Sequence, residues 1–160
     1  MSSEHPGQAL PIVLLAAFRT VIDDLHGELA QVGHADARPM HAFVLQALGP
    51  NGTSISELAR RLAVTKQAAA KHVHTLDNLG YVELTADPGD GRSRVVRPTA
   101  RGADLIAASA RLLDALQRRW SDQVGSERLT QLVHDLETLS RTGALRTDIL
   151  GWLGAQPDWG

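Results

Sequence analysis

The side chains in this sequence best suited to chemistry are hydrogen-bond donors and fixed charges on one narrow helical edge. In "TKQAAAKHVHTL", Thr65 to Leu76, the only two lysines of the chain, Lys66 and Lys71, stand five residues apart with alanines between them. At about 100° per residue, Lys66, Gln67, Ala70, Lys71, His74 and Asn78 share one side of a helix, and Ala69, Val73, Leu76 and Leu79 share the other. The polar side carries little bulk in its first two turns. Entry into a DNA major groove needs that narrow profile, with donors at its edges and a positive helix N-terminus aimed at phosphate. Thr65 and Lys66 are placed for phosphate oxygens, and Gln67 offers a donor and an acceptor to an adenine edge. Lys71 and His74 reach either a guanine edge or the far phosphate. His72 falls nearer the apolar side and reads as a packed histidine with a backbone partner. The same pattern also suits the solvated side of an ordinary amphipathic helix, so the neighbouring elements must decide.

A second group follows in "DPGDGRSR". Arg92 and Arg94 bracket the far end of a turn-rich loop, where a guanidinium suits the negative potential of a narrow minor groove. Asp90 reads as a support that orients Arg92 through a local salt bridge.

The elements that would position these groups are marked by cap chemistry. A long helix is expected from about Leu10 to Gln31 with Pro11 in its first turn. Its apolar residues, among them Leu10, Val13, Phe18, Val21, Leu25 and Leu29, cover more than one stripe, which suits a partner chain as well as an internal core. Pro39 starts a second helix, and "GPNG" stops it. Ser54 and Glu57 have the spacing of a capping box at the head of a short third helix. Thr65 caps the fourth, which runs to Leu79 and is closed by Gly80. After Gly80 the period changes: "YVELT" and "RVVRP" are β-branched runs separated by turn formers, hence a β-hairpin. Thr99 caps a fifth helix, and Gly125 and Ser126 separate it from a sixth. The tail "TDILGWLGAQPDWG" is apolar but broken by Gly and Pro. The expected fold is mostly α with a small β-hairpin wing, a winged helix-turn-helix flanked by long N- and C-terminal helices.

Composition bounds the rest. At 160 residues the chain is long enough for one compact domain of ordinary size or a small domain with long helices attached. Its 43% apolar and 21% charged side chains are those expected of a soluble globular protein. The absence of cysteine excludes disulfides, thiolate zinc sites and thiol redox sensing, and fits a reducing cytoplasm. "IVLLAAF" lacks a basic flank and is too short to span a bilayer, so no membrane association is expected. The net charge is −2, yet between Ser54 and Arg101 eight Lys or Arg face five acids, while the remainder carries eight against thirteen. One face for a polyanion is the implied division. No G-x-S-x-G, dinucleotide fingerprint or P-loop is present, so an enzyme is not expected, nor a cofactor. His26, His34 and His41 lack metal-ligand spacing.

The stretch "SISELARRLAVTKQAAAKHVHTLDNLGYVELTADPGDGRSRVVRPTARG" resembles the MarR family of winged-helix transcriptional regulators. "LDNLGYV" is similar to that family's junction between recognition helix and wing, and "DPGDGRSRVVRPTARG" to its D-x-x-D-x-R wing and the entry to its fifth helix. The resemblance implies residues 37–99 as a DNA-binding lobe, with 10–36 and 100–160 as dimerisation helices. It implies that the helix from Thr65 reads the major groove, that Arg92 enters the minor groove, and that the first, fifth and sixth helices interlock with a second copy. The function so implied is a homodimeric regulator, in most cases a repressor, on a pseudo-palindromic operator in double-stranded DNA. Many members respond to a small aromatic or phenolic ligand; Phe18, His41 and Phe43 are the candidates here to line such a pocket, and are equally residues a core would hold. Two departures stand out. Ala63 occupies a turn position where glycine is frequent, making the backbone less permissive, and Pro98 replaces an aliphatic residue, which predicts a shorter second wing strand. The alternative function is a winged helix for protein contacts alone, which would have no need of cations gathered on one face.

Overall fold

The computed structural model describes residues 6–86, 89 and 94–140. Over these residues the chain forms helices α1 (Pro6–Gln31), α2 (Pro39–Leu48), α3 (Ile55–Leu62) and α4 (Lys66–Asn78). Strands β1 (Val82–Ala86) and β2 (Arg94–Pro98) follow, and then helices α5 (Ala100–Val124) and α6 (Ser126–Leu139). The order is that expected from the caps and the change of period. The C-terminal tail lies outside the described residues.

Helix α1 starts earlier than expected, at Pro6, so Pro11 sits inside it. The missing N–H of Pro11 withdraws one bond from the carbonyl a turn earlier. Leu10 and Ile12 beside it are 61% and 69% exposed, leaving that end open to water. At its other end Gly33 turns at φ +97° and the His34 N–H reaches back to the Leu29 carbonyl at 2.9 Å. That closure sends His34 inward.

At the head of α3, half of the anticipated capping box forms. The Ser54 hydroxyl accepts from the Glu57 N–H at 3.2 Å. The Glu57 carboxylate turns away instead, accepting from Arg60 at 2.6 and 2.8 Å and from Arg61 at 3.0 Å. Two guanidinium groups one turn along are stronger donors than a single backbone N–H. Arg61 also donates to the Ala47 carbonyl at 2.8 Å and so fastens α3 to the end of α2.

The hairpin pairs Val82 with Pro98 through to Ala86 with Arg94, and Thr53 adds a bridge to Val96. Pro98 does not shorten β2, which matches β1 at five residues. Proline is tolerated there because it occupies the end of an edge strand. The core lies between α1, α2, α3, α4 and α5, with Leu29, Leu45, Leu58, Leu76, Tyr81 and Leu105 fully buried. Gly102 in the first turn of α5 packs on this junction: a Cβ there would lie 2.1 Å from the Tyr81 carbonyl oxygen. A second apolar surface has no cover among the described residues. Ile12, Val13 and Leu15 of α1 are 69%, 61% and 53% exposed, and on α6 Leu132, Val133 and Leu139 are 49%, 45% and 75% exposed.

Candidate nucleic-acid interface

Helix α4 stands on three supports. Thr65 caps it, its hydroxyl oxygen accepting from the Ala68 N–H at 3.1 Å. Ala69, Val73 and Leu76 bury its inner side. The preceding turn is closed by Ala63 in the left-handed region, φ 50° and ψ 39°. Because the Thr65 oxygen is used as an acceptor, its own proton remains available to a phosphate oxygen.

The outer side is as the helical wheel implies. Lys66, Gln67, Lys71, His74 and Asn78 are all exposed, and Ala70 between the lysines is half-buried. The structure therefore brings Thr65, Lys66, Gln67, Lys71 and His74 onto one edge. Asn78 adds a detail the sequence reading missed: its amide nitrogen lies 3.1 Å from His74 Nε2, a contact that fixes the ring's direction. His72 is half-buried, as expected for a packed residue, but no hydrogen bond to its ring forms among the described residues. It lies instead within electrostatic reach of His41, and burial first, then Lys71, holds its pKa below the usual histidine value.

Arg94 is exposed at the first position of β2, opposite Ala86. Arg92 and Asp90 lie outside the described residues. Arg60 joins the charged groups of this lobe, its side chain 75% exposed beside Glu57. The hydrogen bond from Arg60, followed by that from Arg61, pulls the Glu57 carboxyl down to about 2. The spacing E-x-x-R-R, with i,i+3 and i,i+4 pairs, was the signal for it.

Behind the wing a polar junction joins the two parts of the chain. The fully buried Tyr81 donates its hydroxyl proton to Asp36 Oδ1 at 2.7 Å. Arg101 donates to both Asp36 oxygens at 2.8 and 2.9 Å, and its guanidinium lies 4.7 Å over the Tyr81 ring. The Tyr81 hydrogen bond, aided by Arg101 and opposed by burial, keeps the Asp36 carboxyl below the ordinary range. Burial and then Asp36 push the Tyr81 phenol up to about 12. Thr99 completes the junction, donating to the Gly80 carbonyl at 2.7 Å while accepting from the Gly102 N–H at 3.1 Å. These partners are far apart in sequence, and sequence reasoning did not find them.

The three pocket candidates take separate roles. Phe18 is 37% exposed on α1, and Phe43 is half-buried on α2. His41 is buried at the head of α2, its Nδ1 accepting from the Arg38 N–H at 3.1 Å. A cleft of about 250 Å3 between α1 and the start of α2 is lined by Ile22, Asp23, His26, Arg38, Pro39 and Met40, and by none of the three. An apolar groove of about 230 Å3 runs between Val21, Leu113, Trp120, Leu129 and Leu136. Among the described residues no three metal-ligating side chains gather, and no helix is long and apolar enough to cross a membrane.

Residues 37–93 match the model of the MarR family. The Exopolysaccharide II synthesis transcriptional activator ExpG of Rhizobium meliloti (strain 1021) is 28% identical over 117 residues, a match covering 71% of this chain and 60% of that protein. The chain thus spans less than two thirds of that relative's length. Among solved structures, the transcriptional repressor CouR bound to a 23-mer DNA duplex aligns with a TM-score of 0.67 at 22% identity, covering 88% of this chain and 99% of that one. A MarR-family regulator from Rhodococcus sp. RHA1 aligns with a TM-score of 0.63 at 19% identity, covering 86% and 97%. At such identities the structural likeness establishes a shared fold.

Proposed function

We propose that this chain is a winged-helix transcriptional regulator of the MarR family, a reading supported by the family match over 37–93 and by the shared fold, and that it works as a homodimer reading a pseudo-palindromic operator. The observation that carries this reading is the exposed edge of α4, where Lys66, Gln67, Lys71 and His74 surround a strip of alanines. The lysines and the Thr65 hydroxyl hold phosphates on the groove walls, and Gln67 reads a base edge, with His74 beside it. Arg92 and Arg94 of the wing take the adjacent minor groove, Asp90 orienting Arg92.

The second copy covers the bare apolar surfaces of α1 and α6. Residues 10–36 and 100–160 then form the dimer frame that carries two 37–99 lobes, with half-sites about 34–36 Å apart along the DNA. Occupying an operator that overlaps a promoter represses it; the name of the relative ExpG shows that activation also occurs among similar proteins. The ligand reading moves from Phe18, His41 and Phe43 to the α1–α2 cleft. There Ile22, Pro39 and Met40 offer an apolar bed and Arg38 and His26 offer partners for a phenolate or aromatic acid.

Selection of bound sequences from a random duplex pool tests the proposal. Enrichment of a two-fold motif is the expected outcome, with binding that weakens steeply as salt is raised. Retention by no DNA at all, on a heparin column or in the pool, would leave the protein-contact function in its place.

A further inference from the structure

The ring of His34, only 3% exposed, has two partners: its Nδ1 lies 3.0 Å from the Tyr81 hydroxyl oxygen and its Nε2 lies 3.0 Å from Asp104 Oδ2. Proton counting decides what the ring must be. The Tyr81 hydroxyl has one proton and two lone pairs. Asp36, at 2.7 Å, is a carboxylate that can only accept, so it takes that proton. Arg101 Nη2, at 3.1 Å, is a donor and occupies one lone pair. The contact left to His34 Nδ1 is a hydrogen bond only if that nitrogen carries hydrogen. Asp104 likewise only accepts, so Nε2 must carry hydrogen too. Both arms together require a charged imidazolium; a neutral ring has one proton and satisfies one arm.

The ring's position gives this consequence. His34 lies in the turn between α1 and α2, Tyr81 immediately precedes β1, and Asp104 and Arg101 belong to the first turns of α5. The groups facing it are Asp36 from its own turn, Tyr81 from the base of the wing, and Arg101 and Asp104 from α5. On the α2 side, His41 is within electrostatic reach of Asp36, Arg38 and His72. With the ring charged, two carboxylates, Asp36 and Asp104, meet two cations, Arg101 and His34. We infer that His34 is a proton-operated latch: charged, it ties the base of the wing to α5, and neutral, it releases one arm and loosens the wing against DNA. This deepens the operator-binding function proposed above and rests on it for its effect on DNA.

Ring nitrogen NMR on the unaltered chain, from about pH 5 to about pH 8, where imidazoles change charge, tests the latch without DNA. Both His34 nitrogens should be protonated at the acid end and one at the alkaline end, with the Tyr81 and Asp104 signals moving at the same midpoint. A single neutral tautomer across the range, or a titration that leaves Tyr81 and Asp104 unmoved, overturns it. Asp104→Asn, at a largely exposed position, should change the His34 Nε2 signal at the acid end and leave Nδ1 bonded to Tyr81; an unchanged Nε2 signal counts against the Asp104 arm. On the selected operator at constant salt, His34→Gln should bind roughly three- to tenfold more weakly than the parent at the acid end, the ratio closing toward the alkaline end. Other groups on the DNA edge are common to both proteins, so the ratio at each pH is the measure. A ratio that does not change with pH overturns the DNA effect. Should the chain bind no operator, the proposed function fails while the ring spectra still decide the latch.

Discussion

Replacing Ala63 with glycine should stabilise this protein, and the size of the gain follows from one backbone angle. Ala63 is the one residue other than glycine at positive φ among the described residues, at 50°. It closes α3: its N–H bonds to the Arg60 carbonyl at 3.2 Å, and the Val64 N–H bonds to the Ala59 carbonyl at 3.0 Å. An L-residue in this region costs ~1–2 kcal/mol because its Cβ crowds the following carbonyl. Glycine removes that cost but loses ~0.4–1 kcal/mol by loosening the unfolded chain. The Ala63 methyl is exposed, so no core contact is given up. The net expectation is a gain of ~0.5–1 kcal/mol, or roughly 1–4 °C in Tm. Ala63→Val adds a β-branch at the same angle and should lose more than ~1 kcal/mol. Thermal and urea unfolding at a fixed chain concentration measures both, since the apparent stability of any self-associating chain depends on concentration. Operator affinity of Ala63→Gly should stay at the parent level, because the turn's hydrogen bonds are made by backbone. A glycine variant no more stable than the parent, or a valine variant matching it, refutes the strain assignment.

On α4, Lys66→Ala and Lys71→Ala should each weaken all DNA sequences alike and reduce the slope of log affinity against log salt by about 1. Gln67→Ala should instead relax preference at one base position by ~1–3 kcal/mol; uniform weakening would remove it from base reading. Gly102→Ala places a Cβ 2.1 Å from the Tyr81 carbonyl oxygen and should cost ~1–3 kcal/mol. Gly27→Ala, where no atom lies within 4 Å, should gain ~0.5–1 kcal/mol; equal effects in urea unfolding would contradict the packing. Glu57, held down to about 2, contributes stability that is complete above its unfolded value of about 4.3 and lost as pH falls toward about 2. Glu57→Gln should therefore narrow its stability deficit steadily across that window, and a constant deficit would place the effect elsewhere.

The winged-helix architecture was legible because its signals are local. Ser54, Thr65 and Thr99 each cap the helix that follows within three residues, and Gly80 ends α4 where the period changes from 3.6 to 2. The outer edge of α4 followed from the same arithmetic, since a helix converts spacing directly into direction. The Glu57 half of the capping box was misread because two arginines compete for the same carboxylate, and spacing does not rank donors.

Other features could not be read from spacing at all. The Tyr81 hydroxyl meets Asp36 and His34 from 45 and 47 residues away, and Asp104 reaches His34 from 70. The sequence by itself determined which side chains share a helix face, because backbone geometry repeats every few residues. Only the tertiary structure decided which of them share a proton. Long-range packing sets those distances, and a tenth of a nanometre separates a hydrogen bond from none.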